Sequence, residues 1–361
     1  MPDISGHVDP IAAAIFEQYE RRAGSEKQRT YLGASVIGRP CARALWYAFR
    51  WADKEKFDGR TMRLFQTGHM AESRFTADLR SIGAKVHDLD PASGKQFGFE
   101  SLGGHMKGHM DGAATNIPGG GQKWHVLEFK THSAKSFADL KAKGVKKAKP
   151  EHWVQMNWYM GKSGMDRALY LAVNKDNDDL YSERVEFDQV EFERTEARAE
   201  SIIFGKTIPA RISDDPKYYL CGWCPFNAVC HSGKGFKKSC RSCVHSTPER
   251  ADNARWSCAY YKEREIPVDV QRVGCDAHLP LPFLVTYAEA IDAGDQWILF
   301  KRKDNGDEFV VAADGVLPPA DLTVTTPLYR SAEIAAASDH RVICNKEVEA
   351  FREKFGAKVV G

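Results

Sequence analysis

The stretch GHMDGAATNIPGGGQKWHVLEFK, residues 108–130, contains the pattern that decides the fold. Its end, VLEFK, alternates apolar and charged residues, so on a β-strand Glu128 and Lys130 point to one face. The proline- and glycine-rich residues 117–121 predict a turn between this strand and the one before it. If the two strands pair as a hairpin, the carboxylate of Asp111 comes close to that of Glu128. Glycines near Asp111 leave room for a close approach of backbone or ligand.

The sequence around this hairpin predicts further helices and short strands. We expect helices at 9–23, 60–82, 150–161 and 188–206, and strands at 96–100, 105–114, 123–131 and 168–174. In the second helix, Phe65, Phe75, Leu79 and Ile82 lie near one apolar stripe. The order of elements predicts an α/β fold with a mixed sheet flanked by helices.

Length and composition exclude several classes of protein. The chain has 361 residues, 43% apolar and 28% charged, with a net charge of +2, which is ordinary for a globular protein of two or three domains. No apolar run is long enough to cross a membrane, and the first ten residues lack a signal pattern. We therefore expect a cytoplasmic protein, or one in the host cytoplasm if a phage encodes it. In that reducing compartment, nine cysteines indicate metal binding more than disulfides.

Several polar residues would join the hairpin carboxylates in one site. Two converging carboxylates suit Mg²⁺ or Mn²⁺, which prefer oxygen ligands. His69, on the otherwise apolar stripe of helix 60–82, needs a partner, either Glu72 one turn away or a metal. Gln155 and Tyr159 are four residues apart, so they share one face of helix 150–161.

The order of these motifs resembles the PD-(D/E)XK nuclease superfamily. A helical Gly-His, then Gly-x-x-Asp-Gly, Glu-Phe-Lys and Gln-x-x-x-Tyr are most similar to its RecB-like branch, which includes CRISPR-associated and many phage exonucleases. The resemblance spans roughly residues 31–231 and implies a restriction-endonuclease-like sheet. It implies Mg²⁺ or Mn²⁺ ligands at His69, Asp111, Glu128 and the Phe129 carbonyl, water activation by Lys130, and supporting or DNA-contacting roles for Gln155 and Tyr159. One departure is Met110, which stands where the family often has proline.

A first cysteine set consists of Cys41 and the cluster Cys221-x2-Cys224-x5-Cys230. Four thiolates fit either an iron–sulfur cluster or zinc, and spacing alone does not choose between them. In the iron–sulfur nucleases that the chain resembles, one early and three late cysteines hold a 4Fe–4S cluster. Such a clip would tie together the ends of the nuclease domain by closing a loop of about 180 residues.

A second cysteine set follows the first. Cys240-x2-Cys243-x14-Cys258-x16-Cys275, with His278 three residues later, predicts a zinc site in a small ribbon-like module. Either Cys275 or His278 could be its fourth ligand. Cys344 has no partner in this pattern and is expected to be a small buried hydrophobe.

These features divide the chain into three expected domains. They are a nuclease domain at 1–235, a cysteine-rich zinc module at 236–283 and a small α+β domain at 284–361. In the last domain, WILFKR and EFVVAA flank a hairpin signal at 303–307, and a helix is expected at 345–355.

Lysines are concentrated directly after the catalytic strand. Residues 134–149 predict a loop that could follow the phosphate backbone of DNA. The lysines expected to bind DNA are Lys135, Lys141, Lys143, Lys146 and Lys147. On charge alone, a solvated loop without a binding role is the favoured explanation of the segment.

Together the patterns predict a metal-dependent DNA nuclease, with an exonuclease as the preferred subtype. Its setting would be recombination, repair or phage replication, with DNA as the substrate and a recombination or replication protein as a further partner. The alternative from another class is a non-catalytic DNA- or protein-binding scaffold with structural metal sites. Metal-dependent cleavage of labelled DNA separates the two hypotheses.

Overall fold

The computed structural model describes residues 9–251, 253–323 and 326–358. The strands of the N-terminal part are β1 (Leu32–Gly33), β2 (Lys85–His87), β3 (Gly98–Ser101), β4 (Met106–His109), β5 (Gly112–Thr115), β6 (His125–His132), β7 (Arg167–Asn174) and β8 (Leu180–Glu186). Its helices are α1 (Pro10–Ser25), α2 (Ala42–Phe49), α3 (Gly59–Ser81), α4 (Ala134–Ala148), α5 (Pro150–Ser163), α6 (Gln189–Phe204), α7 (Tyr219–Gly222) and α8 (Asn227–His231).

A five-stranded sheet forms the centre of this part, in the order β2-β5-β6-β7-β8. Strands β6 and β7 are parallel, and the other neighbours in the sheet are antiparallel. The predicted hairpin is present, because β5 pairs with β6 from Gly112 opposite Leu127 to Ala114 opposite His125. The predicted fold class, an α/β fold with a mixed sheet flanked by helices, is confirmed.

Each face of the sheet is covered by different helices. Phe75 and Leu79 of α3 pack on one face against a cluster that includes Leu127 and Phe129. The opposite face, which carries Val126, packs against α4 and α5, and α6 packs on α5. Since Glu128 and Lys130 share the side of Val126 by strand alternation, they point away from the α3 cluster.

Two sequence predictions are wrong in this region. The expected strand at 105–114 is divided between β4, in a small sheet of order β1-β4-β3, and β5 in the central sheet. The chain changes sheet at 110–111, and Gly112 follows with φ of 151°, a conformation that favours glycine. The expected apolar stripe of α3 is also incomplete, because Phe65 and Ile82 are 45% and 58% exposed while Phe75 and Leu79 are buried.

The rest of the chain forms smaller elements. The strands are β9 (Ser246–Pro248), β10 (Trp256–Cys258), β11 (Ala288–Gly294), β12 (Trp297–Arg302), β13 (Glu308–Ala312) and β14 (Leu328–Arg330). The helices are α9 (Val268–Val273), α10 (Ala320–Thr323), α11 (Ser331–Ala336) and α12 (Lys346–Phe355). The predicted hairpin of β12 and β13 and the predicted final helix are present, and the last four strands form one sheet, β11-β12-β13-β14.

The cysteine-rich segment is joined to the N-terminal part by buried contacts. The guanidinium of Arg241, which is 1% exposed, lies 3.9 Å from the ring centroid of Trp51 and 4.6 Å from that of Trp256. It donates hydrogen bonds to the carbonyls of Thr30 and Phe49. Among the described helices, none is long and apolar enough to cross a membrane.

Candidate active site and cysteine clusters

The catalytic strand of the prediction, β6, places a buried acid beside a lysine. Glu128 is fully buried, and the Lys130 ammonium forms an ion pair with its Oε1. Lys130 Nζ also donates to the carbonyl of Phe129 at 3.1 Å, and its side chain is 26% exposed. On the opposite face, the Phe129 ring stacks on Phe75 with centroids 5.0 Å apart. Packing on that face therefore holds the strand that carries both charged groups.

Asp111 lies at the start of β5 and is fixed to the same strand. Its Oδ2 accepts a hydrogen bond from the backbone N–H of Phe129 at 2.7 Å. A Cβ at Gly112 would lie 2.7 Å from the carbonyl oxygen of His87, and one at Gly108 would lie 2.6 Å from the Cβ of Ala34. Both glycines thus permit close backbone approaches, as their positions beside the acid predicted.

The pKa values of both acids are raised, because the positive charge in the site does not offset their burial. Burial raises the pKa of Glu128 to about 7, although Lys130 opposes the shift. Burial also raises the pKa of Asp111, against the opposing charge of Lys130. Burial alone would lower the pKa of Lys130, but Glu128 and Asp111 outweigh it and raise that pKa.

One carboxylate oxygen in this site is unsatisfied. Among the described residues, Glu128 Oε2 is buried and has no hydrogen-bond partner. A buried anionic oxygen without a donor is costly, which makes it a fitting ligand for a hard divalent cation. Across residues 9–251, 253–323 and 326–358, no three His, Cys, Asp or Glu side chains are arranged as a ready-made metal site. Asp111 and Glu128 are two side chains that could serve as ligands of such a cation.

The two α3 residues near the site differ in their surroundings. His69 is exposed, and its charge acts on both Asp111 and Glu72. Burial, followed by the charge of Asp111, raises the pKa of Glu72. In the sequence, Glu72 is predicted only as a partner for His69, yet the fold makes it a third carboxylate near Asp111 and Glu128. The only sequence feature that pointed to Glu72 was its position one turn after His69 on the same helix.

Gln155 and Tyr159 lie on α5 and are both buried. The Tyr159 hydroxyl donates to the carbonyl of His109 at 2.7 Å and lies 3.5 Å from Gln155 Nε2. Burial and the charge of Glu128 raise the pKa of Tyr159. These contacts hold the chain just before Asp111, while a direct contact of either residue with DNA stays a prediction.

The first cysteine set comes together in space. Cys41, at the start of α2, lines one small cavity with three cysteines from the segment of α7 and α8: Cys221, Cys224 and Cys230. Burial raises the pKa of Cys221, and the charge of Cys41 adds to the shift. The fold thus brings together residues about 180 positions apart, as a four-cysteine cluster that links the two ends of the nuclease domain requires. What this cavity binds stays a prediction.

The second cysteine set also lines one cavity, formed in part by Cys240, Cys243, Cys258 and Cys275. Burial raises the pKa of Cys240 to about 12 and that of Cys243 to about 11, and the other cysteines of the set add to both shifts. His278 borders the cavity, but Nδ1 lies 2.7 Å from Ser331 Oγ and Nε2 lies 3.1 Å from Ser242 Oγ. Because both ring nitrogens have partners, the geometry favours Cys275 as the fourth thiol. Cys344 is half-buried rather than buried.

The predicted lysine loop is a helix, α4, with a break at Gly144, where φ is 72° and ψ is 168°. The five lysines expected to bind DNA are exposed: Lys135, Lys141, Lys143, Lys146 and Lys147. Two of them have acidic partners, since Lys143 lies 2.5 Å from Asp139 and Lys146 lies 3.5 Å from Asp188. The prediction of a loop for this segment was wrong, because lysine and alanine are both good helix formers.

Comparison with solved structures finds distant neighbours of this chain. No protein-family model and no curated protein matches this chain. The crystal structure of SSO0001 aligns with a TM-score of 0.38 at 15% identity, covering 62% of this chain and 96% of that chain. The alkaline exonuclease LHK-Exo from Laribacter hongkongensis aligns at 14% identity, with a TM-score of 0.33 in its complex with dAMP and 0.32 in a second crystal structure. These alignments cover 53% and 52% of this chain and 90% of that chain. Such distant similarities assign no function, which has to be inferred from the site itself.

Proposed function

We propose that this chain is a metal-dependent deoxyribonuclease whose active site contains Asp111, Glu128 and Lys130. The observation that carries the proposal is the buried Glu128 carboxylate, which has Lys130 on one oxygen and no partner on the other. Asp111 is hydrogen-bonded to the next residue of the same strand. An ion pair that served stability alone would leave no buried oxygen unsatisfied.

A divalent cation, Mg²⁺ or Mn²⁺, fits this arrangement. His69, Asp111 and Glu128 would hold it, with the Phe129 carbonyl as a further ligand. When bound, the cation supplies a Lewis acid that polarises the scissile phosphate and lowers the pKa of a bound water.

The chain's own residues would position the reactants. Lys130, whose pKa is raised by its acidic neighbours, keeps a positive charge that orients the attacking water and offsets negative charge in the transition state. Tyr159 holds the His109 carbonyl and so fixes the turn that presents Asp111. Gln155 supports the Tyr159 hydroxyl.

The finer assignments follow the same proposal. An exonuclease is preferred because the lysine-bearing helix α4 follows the catalytic strand directly and could guide a DNA strand to the site. Cys41, Cys221, Cys224 and Cys230 would hold a 4Fe–4S cluster, and Cys240, Cys243, Cys258 and Cys275 would hold zinc. DNA ends would be the substrate, in recombination, repair or phage replication, alongside a recombination or replication protein.

Cleavage of end-labelled DNA tests the proposal. Single- and double-stranded oligonucleotides, labelled at either end, are incubated with the full chain in EDTA, Mg²⁺ or Mn²⁺. We expect cleavage only with a divalent cation, and loss of cleavage in Lys130→Gln. Release of label as mononucleotides would support an exonuclease. Intact DNA under all conditions, with protein that is folded and carries its metals, would overturn the nuclease assignment in favour of a scaffold.

A further inference from the structure

A chain of hydrogen-bonded side chains runs from the end of β6 to the end of α4. Lys149 Nζ donates to Ser136 Oγ at 2.7 Å, and Ser136 Oγ lies 3.1 Å from His132 Nδ1. His132 Nε2 lies 2.8 Å from the Tyr170 hydroxyl, which in turn lies 3.0 Å from His152 Nδ1. None of these residues belongs to the motifs on which the proposed function depends.

One arrangement of protons satisfies all the groups of this chain. An ammonium can only donate, so Ser136 accepts from Lys149, and in this arrangement it donates its own proton to His132 Nδ1. His132 Nε2–H then donates to Tyr170, whose hydroxyl donates to His152. Both histidines must be neutral. Burial, with the charges of Lys149 and Lys130, lowers the pKa of His132 to about 4, and burial also lowers that of His152. The chain therefore holds the Lys149 ammonium in one place.

The break in α4 brings Lys149 to this position. In a straight helix, thirteen residues span about 20 Å, too far for Lys149 to reach Ser136. Gly144 redirects the last turn, and the N–H of Val145 donates to Glu183 Oε2 at 2.8 Å. A Cβ at Gly144 would lie 3.3 Å from the same carboxylate.

Lys149 combines a charge that no acid neutralises with a position fixed by Ser136. Lys143 and Lys146 are paired with Asp139 and Asp188. Among the ion pairs of the described residues, none involves Lys149, and its side chain is only half-buried. An ammonium has three donors, so two of them remain for a ligand. A fixed cation with free donors is suited to a phosphate oxygen.

The chain also places this cation beside the proposed active site. His132 follows Lys130 by two residues on the same face of β6. The charges of Lys149 and Lys130 both lower the pKa of His132, so both ammonium groups lie near its ring. We infer that Lys149, positioned by Ser136, binds the phosphate next to the scissile one. The inference rests on the proposed function and adds a subsite to it, one that reads the backbone and not the base.

Neutral phosphate substitution tests this subsite. A set of short single-stranded oligonucleotides of one sequence, each with one methylphosphonate linkage at a different position, is titrated by fluorescence anisotropy in EDTA, so that no strand is cut. For the wild type, one linkage should raise Kd about tenfold, the value of one charge-assisted hydrogen bond. In Lys149→Gln, the unmodified strand should bind about as weakly as the wild type binds the strand with that linkage, and that linkage should cost nothing further.

Three variants control the experiment. Lys147→Gln removes an exposed charge from the same helix and should keep the position-specific loss. Lys149→Arg should restore it, whereas Ser136→Ala, which frees the ammonium, should reduce it. A thermal unfolding curve for each variant reports on folding independently.

The outcomes distinguish the subsite from the nuclease. If Lys149→Gln shows the same loss at the same linkage as the wild type, or if no linkage matters, the subsite is overturned. Cleavage of the unmodified strand in Mn²⁺ is measured separately. A protein that does not cleave, yet loses its position-specific effect in Lys149→Gln, would retain the phosphate subsite and refute the nuclease.

Discussion

Glu128 is placed where its own charge is unfavourable. It is fully buried, and among the described residues its Oε2 has no hydrogen-bond donor. Burial raises its pKa to about 7 even though Lys130 lies against the other oxygen. A buried pair that is only partly satisfied contributes little to stability. The residue is therefore better explained by what it binds than by what it stabilises.

Replacing Glu128 by Gln should separate activity from stability. DNA cleavage should fall at least about a hundredfold, because an anionic ligand is lost. The pKa of Glu128 in the folded state, about 7, exceeds its ordinary value of 4.5, so between these pH values the folded state holds a proton that the unfolded chain has released. Stability thus falls as pH rises through this window. Above pH 7 and without metal, Glu128→Gln should be more stable by on the order of 1–3 kcal/mol, measured by urea unfolding.

The matched control is Glu186→Gln, on the exposed edge strand β8. It should change neither cleavage nor the free energy of unfolding by a measurable amount, because surface substitutions usually have small effects. Glu128→Gln protein that still cleaves at the wild-type rate would remove Glu128 from the metal site.

At the scale of elements, the sequence predicted the β5–β6 hairpin because its signals are local. The alternation of VLEFK, the turn residues and the neighbouring glycines each describe a few consecutive positions. The contact that matters, Asp111 Oδ2 to the Phe129 N–H, follows directly from that pairing. The convergence of the four early and late cysteines was also anticipated, but from a family resemblance and not from local pattern.

Other elements depended on contacts that no local pattern contains. The strand expected at 105–114 divides because β4 pairs in parallel with β1, more than seventy residues earlier. Glu72 joins the acidic pair because α3 packs across the sheet. The return of Lys149 to Ser136 requires the positive φ of Gly144 and the acceptor Glu183. Each depends on a partner distant in sequence, which single-sequence periodicity does not record.

The two cysteine-bearing elements should carry different metals. Anaerobically purified protein is expected to be brown, with iron–sulfur absorbance and one zinc ion per chain. Cys221→Ala should remove iron and lower the melting temperature of the nuclease part, since Cys41 would lose its link to α7 and α8. Cys243→Ala should remove zinc and leave iron unchanged. Metal analysis and visible absorbance measure both results.

Cys344→Ala is the control for loss of a thiol, because Cys344 lies outside both cavities. It should leave both metals in place. A colourless anaerobic preparation with two zinc ions per chain would refute the iron–sulfur assignment while leaving the nuclease proposal intact.

At the scale of the whole molecule, one apolar core extends through all three expected domains. The cluster that contains Trp46 and Tyr170 continues through Trp256 to Phe300 and Tyr329. Arg241 occupies the junction, and no carboxylate among the described residues pairs with it. It is held by backbone carbonyls, by Gln271 and by the aromatic rings around it. A charge buried in this way is stabilised only when the segments on both sides are in place.

His105 lies in the same junction, and its protonation is coupled to folding. Its ring is fully buried, packs edge-on against Phe49 and Trp256, and bonds through Nε2 to the carbonyl of Glu249 at 2.8 Å. Burial lowers its pKa from 6.5 to about 4. Below pH 6.5 the unfolded chain therefore takes up a proton that the folded chain does not.

The junction should consequently weaken as pH falls from 6.5 to about 4, with a loss from His105 of up to about 3 kcal/mol. His105→Gln retains a side-chain donor for the Glu249 carbonyl but cannot titrate. The free energy of unfolding of this variant should therefore decline less over this pH window. It should start from a lower value, because the packing of the imidazole against the aromatic rings is lost. The measurement is the difference between the two free energies of unfolding as a function of pH, in which contributions from all other groups cancel. His109→Gln, at an exposed ring four residues away, controls for the removal of a histidine.

If the difference between wild type and His105→Gln stayed constant from pH 6.5 to 4, His105 would not be the group that couples this junction to protons. If it narrowed as expected, acid would act first where the cysteine-rich segment meets the nuclease part, and cleavage should decline in the same pH window as the junction loosens.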